Sequence, residues 1–311
     1  MVDDAVNGPE GEGAATRCGF VALIGAPNAG KSTLVNRLVG TKVSIVSHKV
    51  QTTRSMVRGI AMVARSQIVF VDTPGIFKPK GRLDRAMVET AWGGARDADI
   101  VALLIDAAKG VDDEAQALLG RLGQIRQRKV LLLNKIDTVR RESLLGLADI
   151  ANKAVPFERT FMISALNGDG LDDLMAWLAE AVPAGPFLYP EDEVSDIPLR
   201  QLAAEITREK LFERLHQELP YQATVETEAW TDQKDGSARV EQTIYVERDS
   251  QKKIVIGKAG ATIKAISMAA RREISEIAEK PVHLFLFVKV RENWGDDPER
   301  YRAMGIEFPK G

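Results

Sequence analysis

The chain is poor in residues that would tie it to several broad protein classes. Its 311 residues include one cysteine, Cys18, so an intramolecular disulfide framework is excluded, which fits a reducing cytosol. Free cysteine behaves as a small hydrophobe, and Cys18 is expected to be buried at the start of the first strand. His48, His216 and His283 are the whole histidine complement, and their spacing argues against a zinc site. No apolar run approaches the ~18 residues that a membrane span needs. A formal net charge of −2 argues against bulk attraction to nucleic acid, so any RNA site has to be a local patch. Residues 1–16 are acidic and glycine-rich without an apolar core, unlike a signal peptide, and are read as a disordered tail. Internal repeats and extended low-complexity tracts are lacking too.

What is present is the balance of a globular protein, 45% hydrophobic and 28% charged, at a length that suits about two domains. Across residues 17–183 short apolar runs alternate with longer helical patterns. The runs Phe20–Ile24, Ile68–Val71, Ile100–Ile105 and Val130–Leu133 suit parallel strands buried on both faces. The expected fold is α/β, a mostly parallel sheet with helices on both faces, whose ligands bind at the carboxyl edge of the strands. Residues 184–198 are rich in proline, glycine and acidic residues and read as a linker. Residues 199–311 read as a second, α+β domain. A helix over 199–218 precedes strands near 223–231 and 238–247. A helix interrupted by Gly257-Lys258-Ala259-Gly260 and resuming to about Glu279 follows, then a strand over 282–290. In that strand Val282, Leu284, Leu286, Val288 and Val290 share one face.

Three motifs stand in one order. Gly25-Ala26-Pro27-Asn28-Ala29-Gly30-Lys31-Ser32, followed by Thr33, lies between a strand and an amphipathic helix, the context a phosphate loop requires. Its backbone N–H groups form an anion nest at a helix N-terminus, with Lys31 for the β- and γ-phosphates and Ser32 for Mg²⁺. Asp72-Thr73-Pro74-Gly75 ends a strand, placing Asp72 to sense Mg²⁺, by way of water, and the Gly75 N–H to meet the γ-phosphate. Between the two, Thr53 (favoured over Thr52) is expected to complete the magnesium shell and order the first switch. Asn134-Lys135-Ile136-Asp137 reads the base: Asp137 accepts from guanine N1–H and the exocyclic amine, Asn134 contacts the base edge and ties the loop down, and the Lys135 stem covers the ring. Ser164-Ala165-Leu166 places the Ala165 N–H near guanine O6. The ordered set implies a GTP-hydrolysing switch.

Ile76 stands where related switches carry a water-orienting glutamine, and an apolar residue cannot do that. No side chain is therefore assigned as catalytic, with Lys31 and Thr53 supporting.

In the second domain the G-x-x-G turn Gly257–Gly260 between two helices suits close approach of a nucleic-acid backbone. Lys258 at its tip, with Lys252, Lys253, Ile256, Ala259 and Lys264, forms the candidate RNA site, and Ile254, Ile263 and Ile266 are further candidates for its apolar wall. From Gln251 to Arg272 there are six basic residues and no acidic one, which is the local patch that the net charge concealed. Phe285 and Phe287 are expected to lie inside the domain.

One GTPase domain followed by a K-homology domain resembles the bacterial Era GTPases. Beyond the nucleotide motifs, the resemblance rests on Lys49-Val50-Gln51-Thr52-Thr53-Arg54, Glu218-Leu219-Pro220-Tyr221, Gln251–Gly257 and Pro281-Val282-His283-Leu284. It implies a type II K-homology fold and a role in maturing the small ribosomal subunit. It also implies a single-stranded RNA target near the 3′ end of the small-subunit ribosomal RNA, and a monomer bound to GTP or GDP. A cytoplasmic location with a peripheral inner-membrane fraction is implied by resemblance only. Within this GTPase class an asparagine at the position of Asn28 helps bind K⁺; the alternative is an asparagine that accommodates the loop's backbone. Residues 1–16 extend beyond the usual family start, and Phe77–Arg82 receives no transferred contact. Three other readings stay open. A double-GTPase ribosome factor is disfavoured by the single phosphate loop; a constitutive RNA chaperone and a membrane-associated signalling GTPase acting through protein partners are the others.

Overall fold

The computed structural model describes residues 15–49, 52–215, 219–292, 297–303 and 305–308. The tail over 1–14, Val50 and Gln51 of the switch string, His216 and Glu218 lie outside the described residues.

The first domain is built on a six-stranded sheet of order β2-β3-β1-β4-β5-β6. Its strands are β1 (Arg17–Gly25), β2 (Val57–Val63), β3 (Ser66–Asp72), β4 (Ile100–Asp106), β5 (Arg128–Asn134) and β6 (Arg159–Ile163). All neighbours are parallel except β2, which pairs antiparallel with β3 at the edge. β3 and β4 are buried at every residue because helices cover both faces, which is why continuous apolar runs form these strands. On one face α1 (Lys31–Val39) and α5 (Leu171–Ala181) close a core around Leu34, Val35, Leu174 and Leu178. On the other, α2 (Arg82–Asp97), α3 (Asp113–Leu122) and α4 (Arg141–Ala154) bury Trp92, Leu118, Leu119 and Ala151. Cys18 is buried and donates to Gln67.

The segment after α5 does not hang free. Leu188 and Tyr189 donate their N–H groups to the fully buried Gln67 side chain. Further along, Ile60 donates to the Val194 carbonyl and Arg58 pairs with Asp196 at 2.7 Å, so the connection runs along the β2 edge.

The second domain sets α6 (Leu199–Arg214), α7 (Asp249–Ile256) and α8 (Ala261–Ile277) against a sheet of order β7-β8-β9. β7 (Ala223–Asp232) and β8 (Ala238–Val246) are antiparallel, whereas β8 and β9 (Val282–Val290) are parallel through the α7–α8 crossover. α6 stops at Arg214, short of the expected end at 218. β9 alternates between its two faces, and here one expectation is corrected. Phe285 and Phe287 are 41% and 48% exposed, because the helices cover only the face carrying Val282, Leu284, Leu286 and Val288. The Arg239 guanidinium lies 4.3 Å from the centre of the Phe285 ring on that open face. After β9, the segment containing α9 (Pro298–Ala303) returns to the first domain, where Tyr301 and Ile306 pack on Ala86 and Met87 of α2.

Candidate functional site: a nucleotide pocket joined to a G-x-x-G turn

A cavity of about 510 Å³ opens at the carboxyl edge of the first sheet, lined by the phosphate loop, residues 45–49, Thr52, Thr53, Gly75, Asn134, Asp137 and Ala165. The tight strand-to-helix connection makes it. Lys31 opens α1 and is 6% exposed, its Nζ donating to the Gly25 and Ala26 carbonyls, both at 3.1 Å. Burial pulls its pKa down to about 8, partly offset by Asp72. Asn28 has φ of 63°, and its Nδ2 donates to the His48 carbonyl at 2.7 Å, tying the phosphate loop to the first switch segment.

The second motif closes on the first. A Cβ on Gly75 would stand 2.9 Å from Pro27 Cα, so only glycine lets the two turns approach this closely. The Ile76 N–H donates to the Gly25 carbonyl, and the Ile76 side chain is buried in the core.

At the head of this junction Asp72 is fully buried and collects hydroxyls. Its Oδ2 accepts from Ser32 at 2.7 Å, Ser44 at 2.7 Å and Thr53 at 3.4 Å, and the Ser32 and Thr53 oxygens are 2.9 Å apart. Thr52 faces elsewhere, its hydroxyl donating to the Lys49 carbonyl at 2.7 Å. Burial raises the Asp72 pKa, against which the Ser32 bond, Lys31, Ser44 and Thr53 act. Asp72 Oδ1 is buried with no hydrogen-bond partner among the described residues. Hydroxyl and carboxylate oxygens around an unsatisfied buried carboxylate oxygen are the donor set of a hard cation, so these residues fit Mg²⁺.

At the base end Asn134 is 1% exposed and bridges two loops. Its Nδ2 donates to the Ala29 carbonyl at 2.8 Å and its Oδ1 accepts from the Ala165 N–H at 3.0 Å. Asn134 thus ties the two loops together, as expected of it, with the Ala165 backbone as one of its partners. Lys135 takes φ of 66°, lines the pocket and pairs with Asp106 at 2.7 Å. Asp137 is left on the pocket wall.

The first switch segment is held by the second domain, which no spacing in the sequence announced. Arg54, 3% exposed, donates to the carbonyls of Ala223 at 2.9 Å, Tyr221 at 3.0 Å and Pro220 at 3.3 Å. Burial and neighbouring Arg208 pull its pKa down, while Glu205 and Asp84 act the other way. Lys49 Nζ donates to the Phe212 and Leu215 carbonyls at the end of α6, and Arg208 donates to the Thr52 carbonyl. Lys42 pairs with Glu209 of α6 at 2.6 Å and with Glu273 of α8.

In the second domain the turn between α7 and α8 is held by backbone geometry. Gly257 has φ of 74°, and a Cβ there would meet Thr262 Oγ1 at 2.2 Å, so the turn needs glycine at this end. Gly260 also has positive φ but faces open space, and Ala259 is left-handed at φ of 50°. Lys253, Lys258, Ala259 and Lys264 are exposed, with Lys252 and Ile256 half-buried beside them. Ile254 is 55% exposed and Ile263 half-buried, but Ile266 is wholly buried and belongs to the core. α8 thus starts at the turn and carries Glu273 back to Lys42 of the first domain.

A phosphate-loop α/β domain with a guanine-type base loop, joined to an α+β domain with a G-x-x-G turn, defines a GTPase that carries a K-homology module. Family comparison agrees. Residues 20–135 match the model of the 50S ribosome-binding GTPases and residues 218–295 that of the KH domain. The chain is 71% identical to the GTPase Era of Rhizobium meliloti (strain 1021) over 295 residues, covering 95% of this chain and 94% of the relative. It is 69% identical to that of Brucella suis biovar 1 (strain 1330), covering 97% of each. Among solved structures, Era in complex with MgGDPNP and nucleotides 1506–1542 of 16S ribosomal RNA superimposes with a TM-score of 0.89 at 38% identity, covering 93% of this chain and 99% of that one. A variant of Aquifex aeolicus Era bound to GDP and aluminium fluoride gives 0.88 at 38% identity, with the same coverage. The chain belongs to the Era GTPase family, and it is a GTPase. Among the described residues no helix is long and apolar enough to cross a membrane.

Proposed function

We propose that this chain is a GTP-driven switch that holds the single-stranded 3′ region of small-subunit ribosomal RNA in its K-homology domain during maturation of the small subunit. The observation that carries the switch is the adjacency of Thr53 and Arg54. Thr53 faces the ion-sensing carboxylate, and the next residue grips three carbonyls of the RNA-binding half. A change at the nucleotide thereby reaches the second domain through two consecutive residues.

In this reading Gly25–Thr33 cradle the phosphates, with Lys31 on the β- and γ-phosphates. Ser32 and Thr53 would ligate Mg²⁺, with Asp72 holding it by way of water. Mg²⁺ neutralises charge on the phosphates when bound. Thr73, Pro74, Gly75 and Ile76 form the second switch, Gly75 offering its N–H to the γ-phosphate. Asn134, Lys135, Ile136, Asp137, Ser164 and Ala165 form the base site. Asn28 pins the first switch segment to the phosphate loop through His48, a role its geometry supports. The K⁺ role is the rival for that residue, and hydrolysis rates in KCl against NaCl decide between them. The RNA site is Lys252, Lys253, Ile256, Gly257, Lys258, Ala259, Gly260 and Lys264, where the exposed lysines meet phosphates and the turn admits the backbone.

The related Era complex contains nucleotides 1506–1542 of 16S ribosomal RNA; the exposed basic turn supports the same class of ligand here. The deciding experiment is binding of a labelled single-stranded oligonucleotide from the small-subunit RNA 3′ end, with GDP and with a non-hydrolysable GTP analogue. Tighter binding with the analogue is expected. Equal, tight binding in both states removes the switch and leaves a constitutive RNA chaperone. No binding in either state moves the function to protein partners.

A further inference from the structure

We infer that Ser44 is a positioning residue for the divalent-ion site, and that the short loop carrying it is clamped from both domains. The inference rests on the Mg²⁺ reading above. Ser44 is not part of any nucleotide motif, yet it is 3% exposed and its hydroxyl donates to Asp72 Oδ2 at 2.7 Å, the same distance as that of Ser32.

Ser44 is held there by design of the first helix. Asn36 lies one turn beyond Ser32 on α1, on the same face. Its Oδ1 accepts from the N–H groups of Val43 and Ser44, both at 2.9 Å, and its Nδ2 donates to the Ser44 carbonyl at 2.7 Å. The backbone of Ser44 is therefore fixed relative to Ser32, and its hydroxyl is directed at Asp72 Oδ2. With Ser32 and Ser44 both on Oδ2, rotation of the carboxylate breaks two short bonds at once. Oδ1 is the oxygen left without a partner among the described residues. Outer partners of this kind orient the groups around a metal and set its affinity.

The same loop is gripped from the second domain on either side of Ser44. Two residues before it, Lys42 pairs with Glu209 and Glu273. Two residues after it, the Val46 N–H donates to Glu209 Oε1 at 2.8 Å. Lys210 pairs with Glu209 at 2.8 Å and Glu273 at 2.6 Å, binding α6 to α8 behind these contacts. This route to α8 is separate from the Arg54 contact and reaches the helix that begins at the G-x-x-G turn.

The test is release of fluorescent GDP from the full chain over a Mg²⁺ titration, with a parallel measurement in EDTA and no RNA present. Ser44→Ala is expected to raise the Mg²⁺ concentration for half-maximal slowing of release by about 10-fold or more. GDP affinity in EDTA should stay within about twofold, as for independent sites. An unchanged Mg²⁺ midpoint overturns the inference, and so does an equal loss of GDP affinity in EDTA, which signals general loosening of the pocket. Lys42→Met should shift the midpoint in the same direction by about fivefold, the low end of ordinary coupling between sites. No shift in that variant overturns the two-domain clamp. If the unaltered chain releases GDP at the same rate with and without Mg²⁺, the ion reading itself fails, and the role of Ser44 with it.

Discussion

Replacing Arg54 by alanine removes a guanidinium that sits 3% exposed between the two domains and donates to the carbonyls of Pro220, Tyr221 and Ala223. Hydrogen bonds to a charged group contribute about 1.5–3 kcal/mol each, and a buried carbonyl left unpaired costs a similar amount. Coupling between two ligand sites is itself only about 1–3 kcal/mol, or about 5–150-fold in affinity. Loss of even one of these bonds therefore matches the whole expected coupling. The assay is RNA affinity of the variant with GDP and with a non-hydrolysable GTP analogue. The prediction is that the ratio of the two affinities falls to within about twofold of unity. GDP affinity itself should change little, because the guanidinium reaches the Pro220, Tyr221 and Ala223 carbonyls in the second domain. Arg54→Lys should recover only part of the ratio, since a compact ammonium cannot span carbonyls that a planar fork reaches together. A folded Arg54→Ala chain with its melting temperature and its affinity ratio both unchanged would refute the reasoning.

Three further outcomes are expected. Lys31 has a pKa pulled down from 10.5 to about 8, and a bound phosphate favours its charged form, so binding below pH 8 needs no proton while binding above it takes one up. GDP affinity should then fall by up to about tenfold per pH unit above 8, with proton uptake visible by calorimetry in buffers of different ionisation enthalpy; no uptake at pH 9 contradicts it. By the same linkage the nucleotide-free chain gains stability as pH rises between about 8 and 10.5, where the unfolded state binds the extra proton. Asp137→Asn should weaken GTP binding by about 10⁴-fold and restore it for xanthosine triphosphate, read by competition binding; RNA affinity that ignores xanthine nucleotides in this variant points to an uncoupled RNA domain. Gly260→Asp should abolish binding of the 3′-end oligonucleotide without unfolding the chain, because its Cβ faces open space and the left-handed φ of 76° costs Asp only about 1–2 kcal/mol, whereas Gly257→Asp also drives a side chain into Thr262. Retained RNA affinity in a folded Gly260→Asp chain removes the turn from the RNA site.

The phosphate loop, the second switch and the base loop were legible because each is a contiguous string whose chemistry is local: a backbone turn, a helix N-terminus, a strand end. The G-x-x-G turn was legible for the same reason. Its surroundings were less so. Phe285 and Phe287 alternate with Leu284 and Leu286, and alternation assigns residues to two faces without saying which face the helices cover. Ile266 and Ile254 carry the same side chain on neighbouring helices, yet one is buried and the other exposed by its angle to the sheet. At the base loop, Asn134 was read correctly as a tie, but its partners Ala29 and Ala165 stand 105 and 31 residues away.

Composition and contiguous motifs determined that this chain has a nucleotide half and a basic, turn-bearing half, because the free energies that make those features act within a few residues. Tertiary structure alone decided how the halves are joined. Arg54 meets its carbonyl partners across 166–169 residues, and Lys42 meets Glu209 and Glu273 across 167 and 231. Ser44 gains its place only when α1, the loop after it and the end of β3 are packed together. Such contacts follow from the mutual burial of two cores, and no periodicity or spacing along the chain encodes that distance.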